Sequence, residues 1–230
     1  MNEAFDEELR ALYAERGVVG PQGQLPFVGA RYERGGLVIL SKALRGEGHG
    51  PSGLRADGLS AHQTLSAGAG GGAWTEAATL AAVWLEAGGV ELPRNGSMYG
   101  FDGLAQALEQ VAVVPSIKWA SAPVAQDEST GGAGQVLFPE LGVLQPNRLL
   151  VIGGRDAART LRRGMPARLC ASAHASVRAG RRQSKLVVER RWHPDLAKVD
   201  LLVVSRGKVT QTAPVLRTLL TRWSSQRGVR

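Results

Sequence analysis

The sequence has one cysteine and no long hydrophobic run. A single cysteine, Cys170, excludes an internal disulfide and the cysteine-rich sites that hold structural zinc or iron–sulfur clusters. No apolar run approaches the roughly 20 residues that a membrane-spanning helix needs, and the first residues are acidic where a signal peptide would be basic and then apolar. We therefore expect a cytoplasmic protein without a membrane partner, in which Cys170 is a small buried core residue.

Several ligand-binding and catalytic patterns are also missing. The four histidines lie far apart and include no HxxxH pair, so we expect no metal ion. GxGxxG, the Walker lysine-serine pair and GxSxG are absent, which disfavours a nucleotide cofactor and a Ser-His-Asp hydrolase. We expect no organic cofactor. The stretch VIGGRDAARTL, in which two glycines lead into a helical pattern, keeps a nucleotide-binding enzyme as a third hypothesis.

Positive charge is concentrated in the second half of the chain. Residues 1–114 contain 8 Lys and Arg against 13 Asp and Glu, whereas residues 115–230 contain 20 against 7. The net charges of the two parts are therefore −5 and +13. An excess of this kind is typical of proteins that neutralise phosphates, although a solvated basic face would give the same composition. We favour a polyanionic partner.

Apolar runs alternate with helical patterns along most of the chain. Strands are predicted in GLVILSKA, VAVVPSIKWAS, RLLVIGG and ARLCASA, with helices in the segments between them. This alternation is typical of a parallel sheet with helices on both faces. With 230 residues and 43% hydrophobic content, we predict a single α/β domain over residues 1–230, with three α/β/α layers and a central four-stranded parallel sheet.

Further elements are predicted near the two ends of the chain. Residues 1–20 contain apolar residues at helical spacing and predict an N-terminal helix. Residues 184–208 contain two apolar runs on either side of HPDLAK, which predicts a C-terminal β-hairpin that we interpret as an insertion. APVLRTLLTRW predicts a terminal amphipathic helix.

Polar residues follow each predicted strand. Because open α/β sheets bind ligands at the carboxyl ends of their strands, these residues would line one cleft. From the first to the fourth strand they are Lys42 with the loop after it, Ser116 and Lys118, Gly153 and Gly154, and His174 with Ser176.

These strand ends, the basic second half and a histidine motif together resemble the uracil-DNA glycosylase superfamily. RLLVIGGRDAARTL is similar to the third strand of that family and its following helix, and ASAHASVR is similar to the histidine motif that ends the fourth strand. LPFVGARYERGGLVIL resembles the lead-in to the first strand in some members. The likeness extends over about residues 25–222.

The resemblance implies a monofunctional DNA glycosylase that flips a nucleotide out of the duplex and hydrolyses its N-glycosidic bond. His174 would donate a hydrogen bond to the departing base, and Glu47 or a backbone carbonyl of its loop would orient the attacking water. The base pocket would contain Lys42, Ala43, His49, Ser116 and Lys118. Residues Val177 and Arg178, or Leu196, would fill the gap left by the base. Other DNA contacts would come from Ser176, Arg181, Arg182, Arg190 and Arg191.

The sequence departs from the family pattern in two places. Lys42 or Ala43 stands where the family has a water-orienting Asp, Asn or Glu, so Glu47 is the nearest carboxylate. Ser116 or Lys118 stands where an asparagine commonly reads uracil. The excised base would therefore be uracil or a bulkier pyrimidine, such as a hydroxymethylated or glucosylated phage base.

Two alternatives stay open from the sequence. His193 in WHPDLAK keeps a literal His-Pro, so either His174 or His193 can occupy the histidine motif. The second alternative concerns function: a non-catalytic DNA-binding or adaptor protein on the same fold would need no carboxylate. In both cases we expect a monomer with DNA as its partner.

Overall fold

The structure is a computed structural model, and it describes residues 3–16, 26–41, 61–67, 73–96, 98–115, 132–152, 168–179, 182–193, 197–204 and 209–225. The helices described there are α1 (Glu3–Glu15), α2 (Ala61–Ala67), α3 (Ala73–Ala87), α4 (Phe101–Glu109), α5 (Gly132–Leu144) and α6 (Val209–Ser225). The strands are β1 (Phe27–Val28), β2 (Leu37–Ser41), β3 (Arg94–Asn95), β4 (Met98–Tyr99), β5 (Val111–Pro115), β6 (Arg148–Ile152), β7 (Arg168–Ala179), β8 (Arg182–His193) and β9 (Ala197–Val204).

Four strands form a parallel core in the order β5-β2-β6-β9. Strands β2, β5 and β6 consist mostly of valine, leucine, isoleucine and alanine, and all five residues of β2 are buried. A strand that is covered on both faces needs no alternation of polar and apolar residues. The continuous runs LVIL, VAVV and LLVI therefore predict β2, β5 and β6 correctly.

Three further strands make the sheet mixed. Strand β8 pairs antiparallel with β9, β7 pairs antiparallel with β8, and β1 pairs antiparallel with β5. The complete order is β1-β5-β2-β6-β9-β8-β7. The protein is thus a mixed α/β protein with a seven-stranded sheet, and the predicted four-stranded parallel sheet is wrong in extent. Strands β3 and β4 form a separate two-stranded sheet.

The fourth parallel strand is β9, and ARLCASA is not a parallel core strand. ARLCASA lies mainly in β7, at the end of the sheet. Along β7, Ala173 and Ala175 are partly buried, whereas Ser172, His174 and Ser176 are exposed. This alternation is typical of an antiparallel strand with one covered face. The antiparallel pairing around HPDLAK is present between β8 and β9, but β9 belongs to the parallel core and not to an insertion.

Helices cover both faces of the sheet. On one face, α1 and α5 pack against β2, β5, β6 and β9 in a cluster that includes Leu9, Leu141 and Val151. On the other face, α2, α3, α4 and α6 form a larger cluster, which extends onto β7 and β8. Burying apolar side chains on both faces supplies the main favourable free energy of this fold.

Cys170 is exposed, and the prediction that it is a core residue is wrong. The pairing of β7 with β8 shifts between Leu169 and Ala171, so Cys170 lies in a β-bulge. A bulge inserts an extra residue into one strand and redirects its side chain. Leu169 beside it is 50% exposed.

Candidate functional site

The carboxyl ends of the four parallel strands lie in one row. Ser41 of β2 pairs with Pro115 of β5 on one side and with Ile152 of β6 on the other. Ile152 in turn pairs with Val204, the last residue of β9. We call this row the carboxyl edge.

The strand order places a crevice at this edge. Strand β2 comes first in the sequence and lies between β5 and β6, the second and third parallel strands. Successive strands are thus added first on one side of β2 and then on the other. Open α/β sheets bind their ligands at the point where the strand order reverses in this way. The segments that follow β2 and β5 in the sequence begin at this edge. The predicted catalytic and pocket residues of those segments lie outside the described residues: Lys42, Ala43, Glu47, His49, Ser116 and Lys118.

His174 does not end a parallel strand, contrary to the prediction. It is exposed in the interior of β7, opposite Val187 of β8, which lies opposite Val203 of β9. With about 4.8 Å between neighbouring strands, His174 is roughly 14 Å from β6 across the sheet. The structure therefore does not bring His174 to the crevice between β2 and β6.

His193 lies at the opposite edge of the sheet. It is the last residue of β8 and pairs with Ala197, the first residue of β9. Because β8 runs antiparallel to β9, its end coincides with the amino ends of the parallel strands. The alternative assignment of His193 to the carboxyl edge is wrong, and Leu196, the wedge predicted in the same turn, lies outside the described residues.

The hairpin of β7 and β8 extends past the carboxyl edge. Leu186 of β8 pairs with Val204, and four further residue pairs follow, from Ser176–Lys185 to Ala179–Arg182. At about 3.4 Å per residue, these pairs add roughly 13 Å to the hairpin. We call residues 176–179 and 182–185 the hairpin arm. Its basic residues are Arg178, Arg182 and Lys185, and its sequence contains no Asp or Glu.

One face of the arm packs against α6. Val177 is 6% exposed and belongs to the same buried cluster as Leu216 and Leu219 of α6. It is a core residue, so the prediction that it fills a gap in the DNA is wrong. Ser176 and His174, next along the alternation, are exposed. Arg181, another predicted DNA contact, lies outside the described residues.

Two arginines that we predicted to bind DNA form ion pairs inside the sheet. Arg190 Nε donates to the buried Asp200 carboxylate at 2.7 Å, and its guanidinium carbon lies 4.9 Å from the Trp223 ring centroid. The hydrogen bond to Asp200 raises the pKa of Arg190. Arg191 Nε donates to Glu189 at 2.8 Å. Because the fold engages both guanidinium groups, we do not retain either as a DNA contact.

A polar cluster beside a cavity of about 560 Å³ was not predicted from the sequence. The Glu86 carboxylate of α3 accepts hydrogen bonds from Arg94 at 2.6 Å, Tyr99 at 2.6 Å and Arg217 at 3.1 Å. Burial raises the pKa of Glu86, but these hydrogen bonds and positive charges outweigh burial and lower it. The cluster ties α3 to β3, β4 and α6. Its members are too distant in sequence to form a recognisable motif.

Among the described residues, no group of three or more His, Cys, Asp and Glu side chains is arranged to hold a metal ion. In the same part of the chain, no helix is both long and apolar enough to cross a membrane. No family model, curated protein or solved structure matches this chain.

Proposed function

We propose that this chain binds duplex DNA at the carboxyl edge of its sheet, past which the hairpin arm extends. The hairpin arm carries this proposal. It holds Arg178, Arg182 and Lys185 on a pair of strands that extends past the ends of the parallel core. Lysine and arginine placed against DNA phosphates release condensed counterions, which supplies salt-dependent affinity.

The distribution of charge along the second half of the sequence supports the proposal. Residues 178–185 have a net charge of +4, and the segments that follow β6 and β9, residues 153–167 and 205–208, have net charges of +3 and +2. Within the sheet, Glu189 and Asp200 pair with Arg191 and Arg190. These acidic groups are balanced locally, so the excess positive charge of the second half resides elsewhere in its sequence.

Binding of a labelled duplex of about 20 base pairs, followed by fluorescence anisotropy, tests the proposal. We expect the logarithm of the association constant to fall linearly with the logarithm of salt concentration, with a slope of about −3 to −6. Polyglutamate serves as a control polyanion and should bind more weakly than the duplex. Absence of duplex binding at about 50 mM salt, or equal binding of polyglutamate, would contradict the proposal.

Base excision is a second candidate function. It is favoured by the strand-order reversal at β2, because the segment that follows β2 contains Lys42, Glu47 and His49. In this reaction the bond between sugar C1′ and the base nitrogen breaks, and water supplies a hydroxyl to C1′ and a proton to the departing base. Glu47 is our candidate for orienting that water. His174 lies in the interior of β7, away from the crevice between β2 and β6, and we do not assign it as the donor to the base.

Abasic sites measured by alkaline strand cleavage test this second function. The substrates are duplexes that contain uracil, a hydroxymethylated pyrimidine or a glucosylated pyrimidine. We expect a glycosylase to form abasic sites on at least one of them and to lose that turnover in Glu47→Gln while duplex binding survives. Intact binding without abasic sites on any substrate would leave the non-catalytic DNA-binding function.

A further inference from the structure

We infer that the hairpin arm enters the major groove of duplex DNA. This inference rests on the proposed duplex binding and adds the groove into which the arm inserts. The arm is a two-stranded antiparallel ribbon from Ser176–Lys185 to Ala179–Arg182, continuous with the seven-stranded sheet.

The dimensions of the arm fit the major groove. The arm is roughly 13 Å long, and its two strands lie about 4.8 Å apart, with side chains adding to that width. The major groove is about 12 Å wide and 8.5 Å deep and admits a two-stranded ribbon, whereas the minor groove is only about 6 Å wide. A ribbon of this width therefore fits the major groove and is too wide for an undistorted minor groove.

The base of the arm is held in place by packing, and an ion pair holds the sheet beneath it. Val177 packs in the cluster with α6, and Asp200 of β9 accepts hydrogen bonds from Arg190 of β8 and from the Trp223 indole of α6. The contacts of Asp200 join β8, β9 and α6 deeper in the sheet, five residues along β8 from Lys185, where the arm begins. Because the two strands of the arm are already paired with each other, binding costs less conformational entropy than ordering a loop would.

The composition of the arm suits groove binding. Arginine recognises guanine in the major groove and also binds phosphates, lysine does the same less specifically, and serine hydrogen-bonds to either base edges or phosphates. The arm contains two arginines, a lysine, Ser176 and Ser184, with no acidic residue to repel the phosphates. The exposed residues Ser172 and His174 lie on the same strand next to it.

Neutralising the arm tests the inference. We expect the variant Arg178→Gln, Arg182→Gln, Lys185→Gln to bind duplex DNA at least about 10-fold more weakly and to lower the magnitude of the salt slope by about 2 to 3. The matched control variant removes the same amount of positive charge from the acidic half of the chain, through Arg10→Gln, Arg16→Gln and Arg31→Gln. Its affinity for duplex DNA should fall by less than about 3-fold. Thermal unfolding of both variants confirms that each is folded.

Two groove ligands distinguish the groove. Methyl green occupies the major groove and distamycin the minor groove. We expect methyl green to displace the wild-type protein from the duplex and distamycin to leave it bound. Displacement by distamycin alone overturns the assignment to the major groove.

The outcomes separate the inference from the proposed function. If the wild-type protein binds duplex DNA and the arm variant binds it as tightly as the control variant does, the arm inference fails and duplex binding itself stands. If the wild-type protein does not bind duplex DNA, the proposed function fails and the inference falls with it.

Discussion

Leu186 of β8 lies opposite Val204, the last residue of β9, so the β7–β8 hairpin continues for four residue pairs beyond the parallel core. The sheet thereby divides the basic residues of β8 into two groups by position. Arg190 and Arg191, deeper in the sheet, form ion pairs with Asp200 and Glu189. Arg182 and Lys185 belong to the part of β8 that has passed the end of β9. The first group stabilises the fold, and we assign the second group to DNA.

Removing the Asp200 carboxylate should destabilise the protein by about 3–5 kcal/mol, because a partly buried arginine would lose its counterion. The Asp200 side chain is 3% exposed, and it accepts hydrogen bonds from Arg190 at 2.7 Å and from Trp223 at 3.0 Å. Urea denaturation of Asp200→Ala measures the loss. As a control, Asp102→Ala removes a carboxylate that is 78% exposed and should cost less than about 1 kcal/mol. Equal losses in the two variants would contradict the assignment of Asp200 as a buried anchor.

Two helical glycines should respond in opposite directions to replacement by alanine. At Gly103 in α4, a Cβ atom would lie 2.0 Å from the Pro93 carbonyl oxygen, so Gly103→Ala should destabilise the protein by about 2–3 kcal/mol. At Gly142 in α5, a Cβ atom would meet nothing within 4 Å, and Gly142→Ala should stabilise by about 0.5–1 kcal/mol through helix propensity. Thermal unfolding of the two variants measures these effects. Changes in Tm of the same sign would show that the close contact between Pro93 and α4 is incorrect.

The ionised Glu86 carboxylate should stabilise the folded protein at neutral pH and lose this effect in acid. Its pKa is lowered because hydrogen bonds from Arg94 and Tyr99, with nearby positive charges, outweigh the effect of burial. A carboxyl group whose pKa is lower in the folded state stabilises above its unfolded pKa, and that stabilisation is lost as pH falls through the folded pKa. Glu86→Gln should therefore lower the Tm by a few degrees at pH 7, from a loss of about 1–2 kcal/mol.

The difference in Tm between wild type and Glu86→Gln should narrow as the pH falls below the ordinary carboxyl pKa of 4.5. Thermal scans from pH 7 to pH 3 follow this narrowing. Glu91→Gln changes an exposed carboxylate near the same cavity and serves as the control, with little effect on Tm. A difference that stays constant down to pH 3 is the result that this account does not allow.

Cys170 should react with a thiol reagent in the folded protein. Its exposure at the β-bulge predicts one equivalent of fast reaction with Ellman's reagent under native conditions. The same amount of thiol should react in concentrated guanidinium chloride, which gives the total. Reaction only after unfolding would mean that Cys170 is buried, as the sequence predicted. The position of β7 would then be wrong.

Local patterns predicted much of the core but not the pairing of its last strands. The runs LVIL, VAVV and LLVI and the helical spacings of α1, α4 and α6 are local signals, and the elements form there. The choice between ARLCASA and KVDLLVV as fourth parallel strand depends on pairing with β6, which is non-local. The alternation in ASAHASV was the available signal, because a strand with one open face alternates and a fully covered strand does not.

The candidate site was harder to predict than the fold. The carboxyl edge follows from the strand pattern, but the lengths of β7 and β8 relative to β9 decide which basic residues pass that edge. Ion pairs also determine which arginines are engaged within the fold and which are left to bind a partner. Arg190 and Asp200 are ten residues apart on neighbouring strands, and Arg217 and Glu86 are separated by 131 residues. No local pattern shows which arginines such pairs engage.

Hydrogen–deuterium exchange with and without duplex DNA tests the central claim most directly. If the hairpin arm enters the DNA, amide exchange in peptides that cover residues 176–185 should slow on addition of a saturating duplex. Peptides that cover α2 and α4 should exchange as before. Slower exchange in α2 and α4 with an unchanged arm would contradict the account.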